Sequence, residues 1–349
     1  MENILDYSLK ELEKIILEMG EQKFRASQIF MGLYQGKSFS EITSISFNLR
    51  NKLTANYVAQ PCIILDKKIS SDGTIKFLFK LPDNNIIESV LMKYKYGYTV
   101  CVSTQVGCRM GCKFCASTLG GLVRNLTAGE IVGQVVQINR FLEGGIGEKR
   151  KVTNIVLMGS GEPLDNYQNV TKFLRLISSK DTLNISERNI SLSTCGIVPN
   201  IYKLADDGFK ITLTISLHAP NDKIRKQSMP IANKYAIKQI IEACRYYFGK
   251  TGRRIVFEYV LIKNLNDSKE CALELRHLMR GLPCHINVIC LNAVTERTLE
   301  GTTREDALKF VEELKKLGLS STLRRTMGQD IDGACGQLRR RYLETGKID

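Results

Sequence analysis

Apolar positions recur with a helical period through the first 57 residues. Ser8 and Glu11 have the spacing of a capping box at the start of a helix, and an apolar stripe follows them. The predicted helices cover residues 9–19, 23–34 and 47–58. Because no catalytic grouping accompanies them, residues 1–57 are predicted to form a small helical accessory domain, either a docking surface or a purely structural element.

The period changes over residues 58–95, where apolar residues alternate with polar ones or run together. Asp72-Gly73 is a strong hairpin signal between two such runs. The predicted strands cover residues 62–69, 74–81 and 86–92. This segment is therefore predicted to be a short β-hairpin extension.

Residues 96–349 repeat a strand–loop–helix pattern, which indicates parallel strands with crossover helices. Strands are predicted over 98–104, 152–158, 189–194, 210–217, 254–261, 285–290 and 319–325. Helices are predicted over 127–142, 167–179, 198–207, 237–248, 268–280 and 303–317. The fold class is α/β, a partial (β/α) barrel, and its chemistry is expected at the C-terminal ends of the strands.

Three cysteines with CxxxCxxC spacing, Cys108, Cys112 and Cys115, follow the first of these strands. Thiolates on such a glycine-bearing loop can converge on one metal centre. A 4Fe–4S cluster normally takes four thiolates, so three leave one iron open to another ligand. Zinc is the main alternative, but its structural sites usually add a second cysteine pair or histidines, and the chain has only three histidines.

The excess of basic over acidic residues bears on which partners the protein could bind. Fifty Lys and Arg against 36 Asp and Glu give a net charge of +14, which favours a polyanion such as nucleic acid, although a generally basic surface is the simpler alternative. Eleven irregularly spaced cysteines favour a reducing cytoplasm over a disulfide scaffold. The N-terminus has no signal-peptide pattern, and no apolar run is long enough to span a membrane.

Polar residues follow the later strands at the same predicted rim. Gly161 allows a ligand to approach the backbone, and the Glu162 carboxylate can accept a hydrogen bond from an ammonium group. The hydroxyls of Ser193 and Ser216 and the imidazole of His218 could bind the ribose or carboxylate of a nucleoside cofactor. A lone histidine is often structural, but its place at a strand end favours a ligand contact.

Two cysteines outside the triad lie where chemistry is possible. Cys101 is in the first barrel strand, and Cys335 is in a polar, glycine-broken tail. An accessible thiolate is a nucleophile, whereas a buried one is a small hydrophobe, and the spacing leaves both interpretations open for Cys335. The scattered Cys195, Cys244 and Cys284 are expected to be small buried hydrophobes.

A resemblance carries these expectations further. The CxxxCxxC motif with Phe114 before its last cysteine is similar to the signature of radical S-adenosylmethionine (SAM) enzymes. Together with MGSGEPLDNY, ISLSTCG, TISLHAPND and DIDGACGQL, it resembles the RlmN family over nearly the whole chain. The resemblance implies a methyltransferase acting on C2 of an adenosine in the peptidyl-transferase centre of 23S rRNA, and on the adenosine 3′ to the anticodon in some tRNAs.

The resemblance also implies cofactors and roles for individual residues. Cys108, Cys112 and Cys115 would hold one 4Fe–4S cluster, and SAM would bind its fourth iron. One SAM would methylate Cys335, and a second, cleaved at the cluster, would generate the radical that joins this methyl carbon to adenine. Cys101 would then release the RNA through a transient disulfide with Cys335, and Glu88 would accept the proton. The positions matching SAM contacts are Gly161, Glu162, Ser193, Ser216, Leu217, His218 and Asn292, and Asn292 lies where relatives carry prolines that this chain lacks.

Two alternatives stay open at this point. A sister enzyme methylates C8 of the same rRNA adenosine and confers antibiotic resistance, but its GEAL motif differs from Gly161-Glu162-Pro163-Leu164 here. The other alternative is a basic RNA-binding protein whose cluster is only structural. For the methyltransferase we expect a cytoplasmic monomer that receives electrons from an external donor such as flavodoxin or ferredoxin.

Overall fold

A ten-stranded sheet organises the molecule, and it is visible in a computed structural model that describes residues 1–291, 299–331, 338, 339 and 342. The helices are α1 (Leu9–Glu18), α2 (Phe24–Tyr34), α3 (Phe47–Asn56), α4 (Ala128–Phe141), α5 (Tyr167–Ser178), α6 (Val198–Asp206), α7 (Asp222–Ser228), α8 (Ile237–Thr251), α9 (Lys269–Leu278) and α10 (Arg304–Lys316). The strands are β1 (Glu2–Asn3), β2 (Tyr57–Val58), β3 (Ile63–Ile69), β4 (Ile75–Lys80), β5 (Ile86–Tyr94), β6 (Gly97–Cys101), β7 (Gln105–Gly107), β8 (Leu122–Asn125), β9 (Val152–Leu157), β10 (Ile190–Thr194), β11 (Thr212–Ser216), β12 (Ile255–Leu261), β13 (Cys284–Cys290) and β14 (Ser321–Leu323).

The strand order β14-β13-β12-β11-β10-β9-β6-β5-β4-β3 divides the sheet into two parts. From β6 through β14 the neighbours pair in parallel, and from β6 back to β3 they pair antiparallel. Within the described residues β14 and β3 are the edges, so the sheet does not close. The predicted partial (β/α) barrel is confirmed, and the strands of the hairpin extension continue its sheet directly.

The N-terminal helices pack on the barrel through α4. The predicted capping box at Ser8 and Glu11 is present at the start of α1. The Asp6 carboxylate accepts the Gly129 N–H at 2.7 Å, and a Cβ at Gly129 would lie 2.7 Å from the Asp6 nitrogen. Buried side chains of α1–α3 and α4 belong to one continuous hydrophobic core. Removing residues 1–57 would therefore expose an apolar face of the barrel.

Some elements differ from the prediction. The short helix α7 and the pair β7–β8 were not predicted, because seven polar-rich residues and two runs of three or four carry too little periodicity. Strand β6 ends at Cys101 rather than at residue 104, and the chain then turns towards the cysteine loop. No helix in the described part of the chain is long and apolar enough to cross a bilayer.

Candidate active site

The cysteine loop is fixed by backbone contacts at both ends. Gly107 has φ of +78°, and a Cβ there would lie 2.0 Å from the Gly121 carbonyl oxygen, so only glycine fits. The Cys108 N–H donates to that oxygen at 2.8 Å, and the Lys113 N–H donates to the Ser228 carbonyl at 2.9 Å. The loop is thereby held at the C-terminal rim of the sheet, as the sequence predicts.

Cys108, Cys112 and Cys115 line one cavity of about 220 Å³ at this rim. In the described residues no three Cys, His, Asp or Glu side chains surround a point where a single ion would sit. Thiols placed around a cavity suit a cluster, in which each thiolate binds a different iron. Burial raises the pKa of the Cys108 thiol to about 12 and raises that of Cys112 further, so both thiols are neutral until metal binds.

Gly161 and Glu162 close another side of the cavity. Gly161 has φ of +110°, and a Cβ there would lie 2.7 Å from the Gln105 nitrogen. The buried Glu162 carboxylate accepts the Cys195 N–H at 2.8 Å and the Leu164 N–H at 3.0 Å. Burial raises the pKa of this carboxyl, while those hydrogen bonds oppose the rise. A cationic ligand in the cavity would therefore meet an oriented buried carboxylate.

His218 presents a fixed neutral imidazole to the same cavity. Its Nδ1 accepts the Val260 N–H at 3.1 Å, which leaves the ring proton on Nε2. The ring of Phe114 stands edge-on to it, 4.8 Å away between centroids. Burial, with a smaller contribution from the charge on Arg225, lowers the pKa of His218 to about 3. The imidazole is therefore a hydrogen-bond donor and not a cation at physiological pH.

We expect His218→Gln to weaken the acid sensitivity of folding. The folded protein keeps His218 neutral down to about pH 3, whereas the unfolded chain protonates it near pH 6.5, so its contribution to stability is present above pH 6.5 and is lost as pH falls. The wild-type free energy of unfolding should fall more steeply than the variant's between pH 6.5 and 5, by at most about 1.4 kcal/mol per pH unit. Urea titrations at several pH values measure this. Equal slopes in both proteins would contradict the buried neutral state, and the exposed His277→Gln is the matched control.

Of the remaining residues predicted to contact SAM, two line this cavity, one does not, and one lies outside the described residues. Ser193 and Ser216 line the cavity with their hydroxyls 3.3 Å apart. The Leu217 side chain is fully buried in the hydrophobic core, so that residue faces away from the cavity. Asn292 lies outside the described residues.

Cys101 lines a second cavity, of about 290 Å³, next to the first. Both cavities are bordered by the same five residues: Phe114, Cys115, Met158, Ile289 and Arg324. One wall therefore separates the space beside the cluster cysteines from the space beside Cys101.

Glu88 lies on the same face of the sheet as Cys101. Val90 pairs with Lys76 on one side and with Cys101 on the other, so these three side chains share a face. Glu88 is two residues before Val90 in β5, and its side chain therefore points to that same face. The Glu88 carboxylate is 3.5 Å from the Lys76 ammonium, and both side chains are almost fully buried. It also accepts the backbone N–H of Arg339. Glu88 lines neither of the two cavities described above.

Cys335 lies outside the described residues, but the described residues before and after it contact the hairpin extension. Before it, the Asp330 carboxylate accepts the Ser71 N–H at 2.9 Å, and the Asp72 carboxylate accepts the Gly328 N–H at 2.9 Å. After it, Leu338 packs against buried apolar side chains of β4 and β5. The hairpin extension thus holds both ends of the tail near the Cys101 side of the sheet.

Comparison with known proteins identifies this arrangement. Residues 2–58 match the family model "Ribosomal RNA large subunit methyltransferase N-terminal domain", and residues 102–275 match "Radical SAM superfamily". Proteins named "Probable dual-specificity RNA methyltransferase RlmN" from Clostridium novyi (strain NT) and Clostridium botulinum (strain Alaska E43 / Type E3) are 53% and 52% identical, over 98% and 99% of this chain and 99% and 98% of their own lengths. The chain belongs to the RlmN family.

The structural comparison agrees with this assignment. A crystal structure of a radical SAM methyltransferase from Sphaerobacter thermophilus superimposes with a TM-score of 0.92 at 41% identity, covering 97% of this chain and 99% of that one. As a member of the RlmN family the chain is a radical SAM enzyme, and its cofactors are a 4Fe–4S cluster and SAM.

The residues present fit both cofactors of an RlmN-family enzyme. Two buried thiols and the half-buried thiol of Cys115 border a cavity that is also lined by a buried carboxylate, two hydroxyls and a neutral imidazole. A Cβ at Gly161 would alter the backbone beside that carboxylate. The donor set matches a sulfur-ligated cluster next to an amino-acid and nucleoside ligand.

Sequence reasoning missed several buried charges near this RlmN-family site. Glu258, at the cavity wall, accepts from the Asn287 amide at 3.1 Å and lies 3.4 Å from Arg324. The available signal was a charged residue inside an otherwise apolar strand: Glu258 is the only charge in β12, and Lys76 precedes the apolar run Phe77-Leu78-Phe79 in β4. Cys195, predicted to be an incidental hydrophobe, is buried as expected but packs against Cys112 and lines the cavity.

Proposed function

We propose that this enzyme methylates C2 of an adenosine in the peptidyl-transferase centre of 23S rRNA, and the adenosine 3′ to the anticodon in some tRNAs. The methyl carbon is carried to the base on Cys335, with two SAM used per turnover. The observation that supports the proposal is the wall shared by the cavity beside Cys108, Cys112 and Cys115 and the cavity beside Cys101, because the Cys101 thiol lies next to the space in which the cluster and SAM would bind.

The need for a protein-bound methyl group follows from the base. The C2 carbon of adenine is electrophilic, so it cannot act as the nucleophile in a direct methyl transfer. A methyl group on the Cys335 sulfur can be brought to it as a carbon radical instead. The contacts of Gly328, Asp330, Leu338 and Arg339 support this role, since they hold the described residues on both sides of Cys335 against the hairpin extension.

Each remaining residue has one proposed task. Cys108, Cys112 and Cys115 hold the cluster, and Gly161, Glu162, Ser193, Ser216, His218 and Asn292 orient SAM, with Leu217 contributing through its main chain. The bound cofactors supply the methyl group and the one-electron chemistry. Glu88 would accept the proton displaced from C2. The Cys101 thiolate would then attack the Cys335 sulfur, so that a disulfide forms as the bond between that sulfur and the methylene carbon breaks. The electron pair of the broken bond stays on the carbon, which takes up a proton and becomes the methyl group of the released RNA.

Nucleoside analysis tests the proposal. The anaerobically reconstituted protein is given SAM, a reductant and either an rRNA fragment or a tRNA transcript, and the digested RNA is analysed by mass spectrometry. We expect 2-methyladenosine from the rRNA fragment. Formation of 8-methyladenosine would identify the sister reaction, and SAM left uncleaved would identify a structural cluster. The tRNA transcript decides whether the second substrate class is used.

Residues 1–57 are the proposed RNA-docking module. The segment has no net charge, with seven Lys and Arg against seven Asp and Glu, so the proposal rests on particular exposed side chains. Phe24 and Phe47 are largely exposed, and the guanidinium groups of Arg25 and Arg50 lie over their rings at 4.7 and 5.7 Å. Exposed aromatic rings paired with arginine suit unstacked bases and phosphates. The proposed division of the chain is 1–57 for docking, 58–95 as extension and 96–349 as catalytic core.

Charge reversal on this module should weaken RNA binding without affecting SAM cleavage. For the quadruple variant K23E, R25E, R50E and K52E, each lost phosphate contact should lower the log–log salt slope by roughly 0.7–0.9. Filter binding at several salt concentrations measures the slope, and 5′-deoxyadenosine release measures cleavage. Reversing Lys309, Lys315 and Lys316 on α10 is the matched control. Unchanged RNA affinity in the quadruple variant would make the module purely structural.

The proposal also extends to the setting of the reaction. An electron donor such as flavodoxin or ferredoxin must deliver an electron to the cluster, and a reducing cytoplasm keeps the catalytic thiols available. We propose that the enzyme acts there as a monomer.

A further inference from the structure

Arg225 is a completely buried arginine directly behind the cysteine loop. It lies on α7, and its side chain is 0% exposed. Its Nη2 donates to the carbonyls of Cys195 at 2.6 Å and Ser216 at 3.1 Å, and its Nε donates to the Leu217 carbonyl at 3.1 Å. These acceptors fix the guanidinium at the ends of β10 and β11, where the candidate SAM residues lie.

No carboxylate in the described part of the chain forms a direct ion pair with Arg225, and Asp222 on the same helix acts on it only from beyond salt-bridge distance. The buried Nη1 of Arg225 has no hydrogen-bond partner among the described residues. Arginine stays protonated even when buried. A buried charge with only neutral carbonyl partners is costly, so a negative group is expected close to it in the working enzyme.

The residues at the C-terminal end of α7 and just after it contact the cysteine loop, which indicates where this negative group would lie. The Ser228 carbonyl accepts the Lys113 N–H, Met229 packs against Cys112, and Pro230 lies against Gly111. The Cys195 carbonyl that accepts from Arg225 belongs to a residue whose side chain lies in the same buried cluster as Cys112 and Met229. The guanidinium is therefore close to a proposed cluster ligand.

We propose that Arg225 is the buried counter-charge of the iron–sulfur cluster and raises its reduction potential. Three thiolates give the cluster a net negative charge, and this charge increases by one when the cluster accepts an electron. A fixed positive charge in a low-dielectric interior stabilises the more negative, reduced state. Arg225 is thus a positioning and tuning residue, and the inference rests on the ligand set Cys108, Cys112 and Cys115 proposed above.

A redox titration of the reconstituted protein separates this role from a structural one. Arg225→Gln should retain full iron, but the equilibrium constant for one-electron reduction should fall ten- to hundredfold. At 59 mV per tenfold change this puts the midpoint about 59 to 118 mV more negative, measured by EPR in the absence of RNA. Arg225→Lys keeps the charge and should stay within about threefold of wild type.

Arg253→Gln is the matched control. Arg253 also binds a backbone carbonyl and has a buried Nε without a partner in the described residues, but it precedes β12 at the opposite end of the strands. Its removal should leave the midpoint unchanged.

Several outcomes would overturn the inference. Arg225→Gln with full iron and a wild-type midpoint would show that the charge does not act on the cluster. If Arg225→Gln cannot assemble a cluster, Arg225→Lys becomes the test. A wild-type midpoint potential in Arg225→Lys supports the role of the positive charge. A large negative shift of the midpoint would instead assign the effect to the hydrogen bonds with the carbonyls. A wild-type protein that assembles no cluster would defeat the ligand set itself, which is a different failure.

Discussion

The Cys101→Ala variant is expected to remain covalently joined to its RNA through Cys335. Cys101 acts only after the methyl carbon has been joined to adenine, so the variant should still accept a methyl group on Cys335 and still attack the base. With alanine in the cavity beside Cys115, no thiol at that position can break the adduct. The trapped species should appear on a denaturing gel as a slower band that nuclease treatment removes, while product release falls at least about a hundredfold.

Two further variants make this result specific. Cys335→Ala should assemble the cluster, methylate no RNA and give no trapped band, because it lacks the atom that carries the methyl group. Cys244→Ala, at a fully buried core position remote from both cavities, should turn over normally. Cys195 is unsuitable as a control because it packs against Cys112. Normal turnover by Cys101→Ala, with no trapped RNA, would contradict its role as the resolving cysteine.

Replacing any one of Cys108, Cys112 and Cys115 by alanine should abolish assembly of a complete cluster. RNA methylation should fall at least about a thousandfold, since the radical chemistry belongs to the cofactors and the protein has no substitute for it. Iron and sulfide analysis and the brown absorbance after reconstitution measure the loss directly. The free energy of unfolding in urea should match that of the cluster-free wild type, because these thiols line a cavity and not the main core.

The variant in which Cys108, Cys112 and Cys115 are all replaced by alanine provides the clearest test that could contradict this ligand set. If it kept full iron and the same absorbance, the cluster would be bound elsewhere. A fourth protein ligand to the cluster in the SAM-free enzyme that SAM could not displace would also contradict the proposal, because SAM needs that iron.

Local patterns were sufficient for most of the fold. The capping box at Ser8 and Glu11, the Asp72-Gly73 hairpin turn and the alternation of helix and strand periods are all short-range signals, and each is present in the structure. The cysteine loop was likewise readable, since its three thiols are only seven residues apart along the chain. Helix α7 was missed because a polar helix of seven residues, about two turns, has no clear apolar face.

By itself the sequence determined most of the helices and strands, the α/β class, the cysteine loop and, through motif resemblance, the family. Only the tertiary structure decided that Lys76 forms an ion pair with Glu88 and that Arg225 bonds the carbonyl of Cys195 beside Cys112. It also decided that the Leu217 side chain faces the core and that the two cavities share one wall. The physical reason is the distance along the chain over which each kind of interaction acts. Periodicity and turn chemistry act over a few residues, whereas the partners of a buried charge are chosen by strand register and by packing between segments that are distant along the chain.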